Sequence, residues 1–350
     1  LVEDYKSYFA ENADWAQSVF WVGKAETALG EKGRAIQAYL DALIQYGSDP
    51  AQEGVSAILF DLAEMIRNAG DQVNAEDVTE KIQAARTNAK SRTLQIRLDV
   101  LLAELNGRAP ELGRRLLETE KDLTPVPPSG LALMCAALLE QKDYSRSKEF
   151  FDYFTAHYDA SPFMKNAYRL RAEDLYLQKR YDDALPLALE TLGLYGADAD
   201  TGWAQLMKGN IELIRGDYAE AGKTFNAIFN VRAWRGSVSA EAMFRMAQSW
   251  YQQGNYEKAF AFFQRTYLLY KAYDGGRWAA DAYLMSADCL KHLGRDPAAR
   301  NTYRAMLLDE YVRDLPQAET AKTALGPQET AELLAGRTNT METVEAEVKP

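Results

Sequence analysis

The chain reads as an all-α protein, an array of antiparallel helix pairs stacked in sequence order. Two observations predict this. A spacing of small and aromatic residues recurs along the chain, and no six-residue alternating run sits between turn signals as a strand would require. The clearest copy is Ala240 to Tyr267, AEAMFRMAQSWYQQGNYEKAFAFFQRTY. It holds two amphipathic stretches joined at Gly254-Asn255. Ala247 is the small residue of the first stretch, Ala259 follows twelve positions later, and Phe263 lies one turn beyond.

The same spacing links Gly23 to Ala35 and Tyr39, Cys135 to Ser147 and Phe151, and Ala172 to Ala184 and Ala188. It links Gly209 to Ala221 and Phe225, and Ala287 to Ala299 and Tyr303. A further unit keeps Ala63 and Ala75 but has Thr79 in the third place. A glycine recurs seven positions after the first small residue, at Gly30, Gly70, Gly216, Gly254 and Gly294. Glycine there takes the left-handed conformation that ends a helix. Small residues let two antiparallel helices approach closely, and the aromatic fills the groove beside the crossing. A Leu in such a place overpacks it, at about 1–3 kcal/mol.

Taken in order, residues 1–13 read as the second helix of an earlier repeat, so a region preceding Leu1 is expected. A clear pair spans 14–50, a weaker one 51–91, and the least regular 92–127. In that last unit Val100 takes the small position, and Gly107-Arg108-Ala109-Pro110 forms a turn with Pro at a helix start. Thr124 to Gly130, TPVPPSG, is the strongest punctuation and is expected to be a hinge between sub-arrays. The expected domains are therefore 1–127, degenerate over 51–127, and 128–315, with pairs near 130–163, 164–201, 202–239, 240–279 and 280–315. Two short helices, Ala318–Leu325 and Gln328–Leu334, are expected to cap the stack within 316–335. Residues 336–350 are polar and aperiodic and read as disordered.

Composition narrows the function. Net charge is −11, which disfavours nucleic acid and anionic lipid as partners. No apolar run of about 18 residues exists to span a membrane, and Leu1-Val2-Glu3-Asp4 begins no signal peptide. Cys135 and Cys289, the only cysteines, form neither a disulfide framework nor a zinc motif. His157 and His292 lie in different repeats and exclude a two-histidine zinc helix. Gly222-Lys223-Thr224 is a chance match to the end of a phosphate loop, since the earlier glycine is one place out and a helix surrounds it. No cofactor, metal site or catalytic set is expected.

The small residue at the eighth place of each unit, glycine at the fifteenth, Tyr at the seventeenth (Tyr144, Tyr181, Tyr218, Tyr256) and Ala at the twentieth resemble tetratricopeptide repeats. The resemblance covers roughly residues 14–315. The period departs from it, running at 37 to 40 against about 34 in the family. Longer periods are similar to those of bacterial cell-envelope members. The resemblance implies a right-handed superhelical α-solenoid whose concave face, lined by first helices, holds a peptide or partner protein.

By the same resemblance, the inward positions fall at Phe20, Lys24 and Thr27, at Arg169, Glu173 and Tyr176, and at Leu206, Asn210 and Leu213. They continue at Phe244, Gln248 and Tyr251 and at Leu284, Asp288 and Lys291. Lys24, Glu173, Tyr176, Asn210, Phe244, Gln248, Tyr251 and Asp288 are the candidate partner-binding residues. Asn210 leads, because it matches the family's asparagine that grips a ligand backbone through its amide. Simple solvation of a helix face competes at each of them. The recurring tyrosines read as packing residues, and Trp234 and Trp278 read as loop packing or as surface anchors. The expected function is a non-enzymatic protein- or peptide-binding scaffold of a bacterial cell-envelope assembly, periplasmic in location. A regulatory or sensor arm of a larger protein, a solute-binding repeat protein and a cytoplasmic location stand beside it as alternatives.

Overall fold

The computed structural model describes residues 15–50 and 52–335. The expected orphan helix at 1–13 and the tail at 336–350 lie outside them. Among the described residues the chain is helical throughout, with short 3-10 turns and no strand. It divides into two compact units, Leu1–Arg180 and Tyr181–Pro350.

The first unit holds α1 (Trp15–Ala28), α2 (Lys32–Tyr46), α3 (Glu53–Arg67), α4 (Ala75–Asn88) and α5 (Arg92–Leu105). It continues with α6 (Ala109–Thr119), α7 (Pro128–Gln141), α8 (Ser147–His157) and α9 (Met164–Leu177). The second holds α10 (Tyr181–Tyr195), α11 (Gly202–Arg215), α12 (Tyr218–Ile228), α13 (Ser237–Gln252) and α14 (Tyr256–Leu269). After these come α15 (Arg277–His292), α16 (Asp296–Leu308) and α17 (Ala318–Leu325), with 327–335 also helical. In the second unit each helix packs on its neighbours in sequence, and the first helices α11, α13 and α15 also pack on one another in order.

The predicted crossings are present and more intimate than expected. Ala221 and Ala259 are fully buried. The aromatic one turn on lies directly over the small residue, not beside it. A Cβ on Gly209 would come within 2.5 Å of the Phe225 ring, and one on Gly23 would intrude on the Tyr39 ring. Tyr39 also donates its hydroxyl hydrogen to the Phe20 carbonyl at 2.8 Å, tying second helix to first.

Helix ends keep register through the whole array. Seven positions after each small residue the backbone is left-handed, with φ from +54° to +86°. This holds at Gly107, seven after Val100, and at Lys142 and Lys179, where no glycine marks it. In all of these turns but the one at Gly70, the next N–H reaches back to close a Schellman turn, as Asp217 does to the Glu212 carbonyl at 2.9 Å. The unit at 92–127 is therefore in register, with Leu112 and Leu116 buried where the other units hold smaller or aromatic residues.

Two units depart from the expected pairing. Ala75 is exposed, and α4 buries Val78 and Ile82 against α5, not against α3. The 3-10 turn Gly70–Gln72 delays the start of α4 by three residues, so its buried positions move on by three. The helix α8 starts equally late, and there Phe150 and Phe154 are buried while Phe151 is only half-buried, edge-on to Tyr168 at 5.5 Å. The proline-rich stretch lies within the first unit and not between units. Val126 is fully buried, and Pro127-Pro128 opens α7 as a rigid helix start.

Candidate functional site

In the second unit expected inward residues enter two groupings of polar contacts, one joining α11 to α13 and one joining α13 to α15. Asn210 on α11 donates from Nδ2 to Glu241 on α13 at 3.3 Å. Glu241 also pairs with Arg245 at 3.2 Å, and Arg245 donates to the side-chain oxygen of Gln248 at 2.9 Å. Tyr251, in the last turn of α13, donates its hydroxyl hydrogen to Asp288 on α15 at 2.5 Å. That hydrogen bond, with burial and the Asp288 charge behind it, pushes the phenol well above its ordinary range. Tyr251, four positions after Ala247, meets Asp288, one position after Ala287, because α13 packs directly on α15.

One acceptor in the first grouping is left over. Asn210 Oδ1 is buried and has no hydrogen-bond partner among the described residues. A buried amide oxygen without a donor costs about 1–3 kcal/mol.

Phe244 is a correction. Its ring is buried between Phe263, at 5.4 Å, and Trp278, at 5.3 Å, so it belongs to the core and not to a contact surface. Leu206 is likewise buried. Trp234 and Trp278 are packing residues: both are buried, and their ring N–H groups donate to the Asp198 carbonyl at 2.7 Å and to Asp274 at 2.8 Å.

In the first unit Lys24 forms an ion pair with Asp61 and lies 5.3 Å from the Phe20 ring. It lines a cavity of about 250 Å³ between α1 and α3, together with Thr27, Lys32, Asp61, Glu64, Met65 and Asn68. Sequence reasoning named Lys24 and Thr27 but missed Glu64, although it stands in the same place after Ala63 as Lys24 does after Gly23. Glu173 accepts from Arg169 at 2.8 Å and from Tyr144 at 3.2 Å. Tyr176 is half-buried on the same helix. These two are far along the chain from the cavity and do not line it.

Nothing in these faces assembles a nucleophile with a base. Cys135 and Cys289 are buried, and burial pushes the Cys289 thiol up to about 12 and that of Cys135 higher still. Lys223 pairs with Glu220 at 2.7 Å on α12, as an ordinary surface lysine does. Among the described residues no group of three or more His, Cys, Asp or Glu gathers as a metal site, and no helix is long and apolar enough to cross a membrane.

Residues 206–277 match the family model of the tetratricopeptide repeat. No curated protein matches the chain. Among solved structures, the chain is similar to the APC/C hetero-tetramer Cut9-Hcn1, at 13% identity over 96% of this chain and 76% of that one, with a TM-score of 0.43. It is similar to the human IFIT1 dimer with PPP-AAAA, at 13% identity over 93% and 90%, with a TM-score of 0.38. It is also similar to the TPR domain of P58(IPK), at 12% identity over 93% and 92%, with a TM-score of 0.26.

Proposed function

We propose that this chain, whose residues 206–277 are tetratricopeptide repeats, is a non-catalytic scaffold that holds an extended peptide segment of a partner protein against its first helices. The observation that carries the reading is the polar face on which Asn210 of α11 meets Glu241 of α13, and Tyr251 of α13 meets Asp288 of α15. Asn210, Gln248 and Asp288 are half-buried there. An extended peptide offers backbone N–H and C=O groups that amide and carboxylate side chains of this kind can bind. Tyr251, Gln248 and Asp288 extend the same face with groups suited to protein contact.

The test is selection of binding peptides from a displayed random library against the full chain, followed by affinity measurement. Asn210→Ala should weaken the enriched peptides about tenfold. Peptides that bind Asn210→Ala as tightly as the parent would remove the face from consideration. The finer reading, a place in a bacterial cell-envelope assembly, rests on the long repeat period. It is tested by fractionation of the source cells, where recovery with cytoplasmic markers would overturn it.

A further inference from the structure

At one end of that face stand Tyr251 from α13, Tyr256 from the start of α14, and Asp288 and His292 from the last turn of α15. The Tyr251 and Tyr256 rings meet edge to face at 5.3 Å, and His292 stacks on Tyr256 at 4.3 Å. The His292 ring stands at 85° to that of Tyr251, 5.8 Å away. Tyr251 and His292 thus both touch the Asp288 carboxylate, and the Tyr256 ring packs on both of them. The Asp288 and His292 side chains are each 41% exposed.

The charge at this place is one-sided. Asp288 has no lysine or arginine partner among the described residues. Its contacts are the Tyr251 hydroxyl and His292 Nδ1, 3.4 Å from its Oδ2. The nearby cations are engaged elsewhere: Lys291 lies over the Tyr303 ring at 5.2 Å, and Arg295 pairs with Glu257 at 3.3 Å. His292 Nδ1 also lies 3.0 Å from the Asp288 carbonyl. Both of its neighbours accept, so Nδ1 carries a hydrogen. The cluster offers a carboxylate and π faces, and among the described residues no lysine or arginine is paired with that carboxylate.

We propose that this cluster is a subsite for an arginine side chain of the bound peptide. The proposal rests on the peptide-binding reading above and names the residue type read at one position. A guanidinium is planar, carries five N–H donors and stacks on aromatic faces. It can donate to the Asp288 oxygen that Tyr251 leaves open while lying against an aromatic ring of the cluster. A lysine ammonium matches the charge but not the plane. The whole-chain charge of −11 favours a basic segment over an acidic one.

The chain contains its own control. His157 stacks on Tyr153 at 4.3 Å with its Nδ1 3.0 Å from the Tyr153 carbonyl, the same arrangement without the carboxylate. With only two histidines, both ring resonances can be followed by NMR in the full chain. Titration with N-acetyl-arginine amide should shift the His292 signals saturably and leave those of His157 in place. Asp288→Asn should weaken that response about tenfold, and N-acetyl-citrulline amide, equal in shape but neutral, should give none. Equal movement of both histidines, an undiminished response in Asp288→Asn, or N-acetyl-lysine amide binding as tightly as the arginine probe would overturn the proposal. An unchanged urea midpoint for Cys289 protection in Asp288→Asn certifies that the second unit is folded in the variant. Library peptides that depend on Asn210 but not on Asp288 would sink this subsite and leave the peptide-binding reading standing.

Discussion

The unit at 92–127 and the unit at 240–279 solve one packing problem differently. In the second, Ala247 and Ala259 are both fully buried and the two helices of the pair meet at them, with Phe263 buried one turn on. In the first, Val100, Leu112 and Leu116 fill the corresponding places. The pair is held further apart there, and the close approach moves to the next helix. A Cβ on Gly113 would collide with the Leu133 carbonyl of α7. The first unit of the molecule also buries Arg97 fully, a few residues before Val100. Its Nη2 reaches the Pro50 and Gln52 carbonyls at 3.2 and 3.4 Å, but Nε and Nη1 find no partner, and burial pushes the guanidinium down to about 10. The comparison teaches that the landmarks of a repeat are separable. Helix ends and register persist where the small-residue crossing is lost, because the turn geometry is local and the crossing is tertiary.

The largest expected effect tests the crossing itself. Phe225 is fully buried with its ring over Gly209, and Phe225→Ala should cost about 3–5 kcal/mol by urea denaturation. A loss below about 1 kcal/mol would mean that the ring is not the keystone of that pair. Next comes a matched pair that sharpens the register argument. Ala259→Leu should cost about 1–3 kcal/mol, whereas Ala75→Leu, at the same offset within its unit, should stay within about 0.5 kcal/mol. Equal costs would restore the α3–α4 pairing that the late start of α4 removes.

These cases show what was legible in the sequence. The helix-pair architecture, the sites of the turns and the buried small residues of the second unit were readable because they follow from local spacing. The family match at 206–277 falls on the stretch where Gly209, Ala221, Ala247 and Ala259 keep that spacing intact. The three-residue displacement of α4 was not readable, since a 3-10 turn inside a polar loop leaves no apolar signature. Phe244 was misjudged because an inward offset on a helix does not tell groove from core. Trp278, which covers it, arrives from the next repeat. The aromatic cluster around Asp288 needed three helices to assemble; of its four members only Tyr251 and Asp288 stood at inward offsets, while Tyr256 read as a packing residue of the repeat.

Each unit carries one buried thiol, so the two can be compared in a single sample. Cys135 reports on the first and Cys289 on the second. Neither should react in the folded state, and alkylation should track local opening. The displaced α4, the lost crossing at Val100 and the half-satisfied Arg97 all lie in the first unit. In urea below the main transition Cys135 should therefore be alkylated by iodoacetamide about tenfold faster than Cys289, as read by peptide mass spectrometry. Faster labelling of Cys289 would show that an irregular crossing does not weaken its unit.

The smallest effect separates helix-end geometry from packing. Lys142 and Lys179 hold the left-handed turn at φ of +54° and +60°, where most of the other units use glycine. At Gly107, Gly216 and Gly254 a Cβ would meet nothing within 4 Å, so the dihedral alone and not crowding favours glycine there. A left-handed L-residue costs about 1–2 kcal/mol, and glycine gives back roughly 0.5–1 of that through its freer unfolded chain. Lys142→Gly should thus raise stability by about 0.5–1 kcal/mol, and Gly107→Ala should lower it by a similar amount. Both are read from urea midpoints with an unchanged slope. A stabilising Lys142→Gly together with a neutral Gly107→Ala would mean that the irregular unit, unlike its neighbour, does not end its first helix in a left-handed turn.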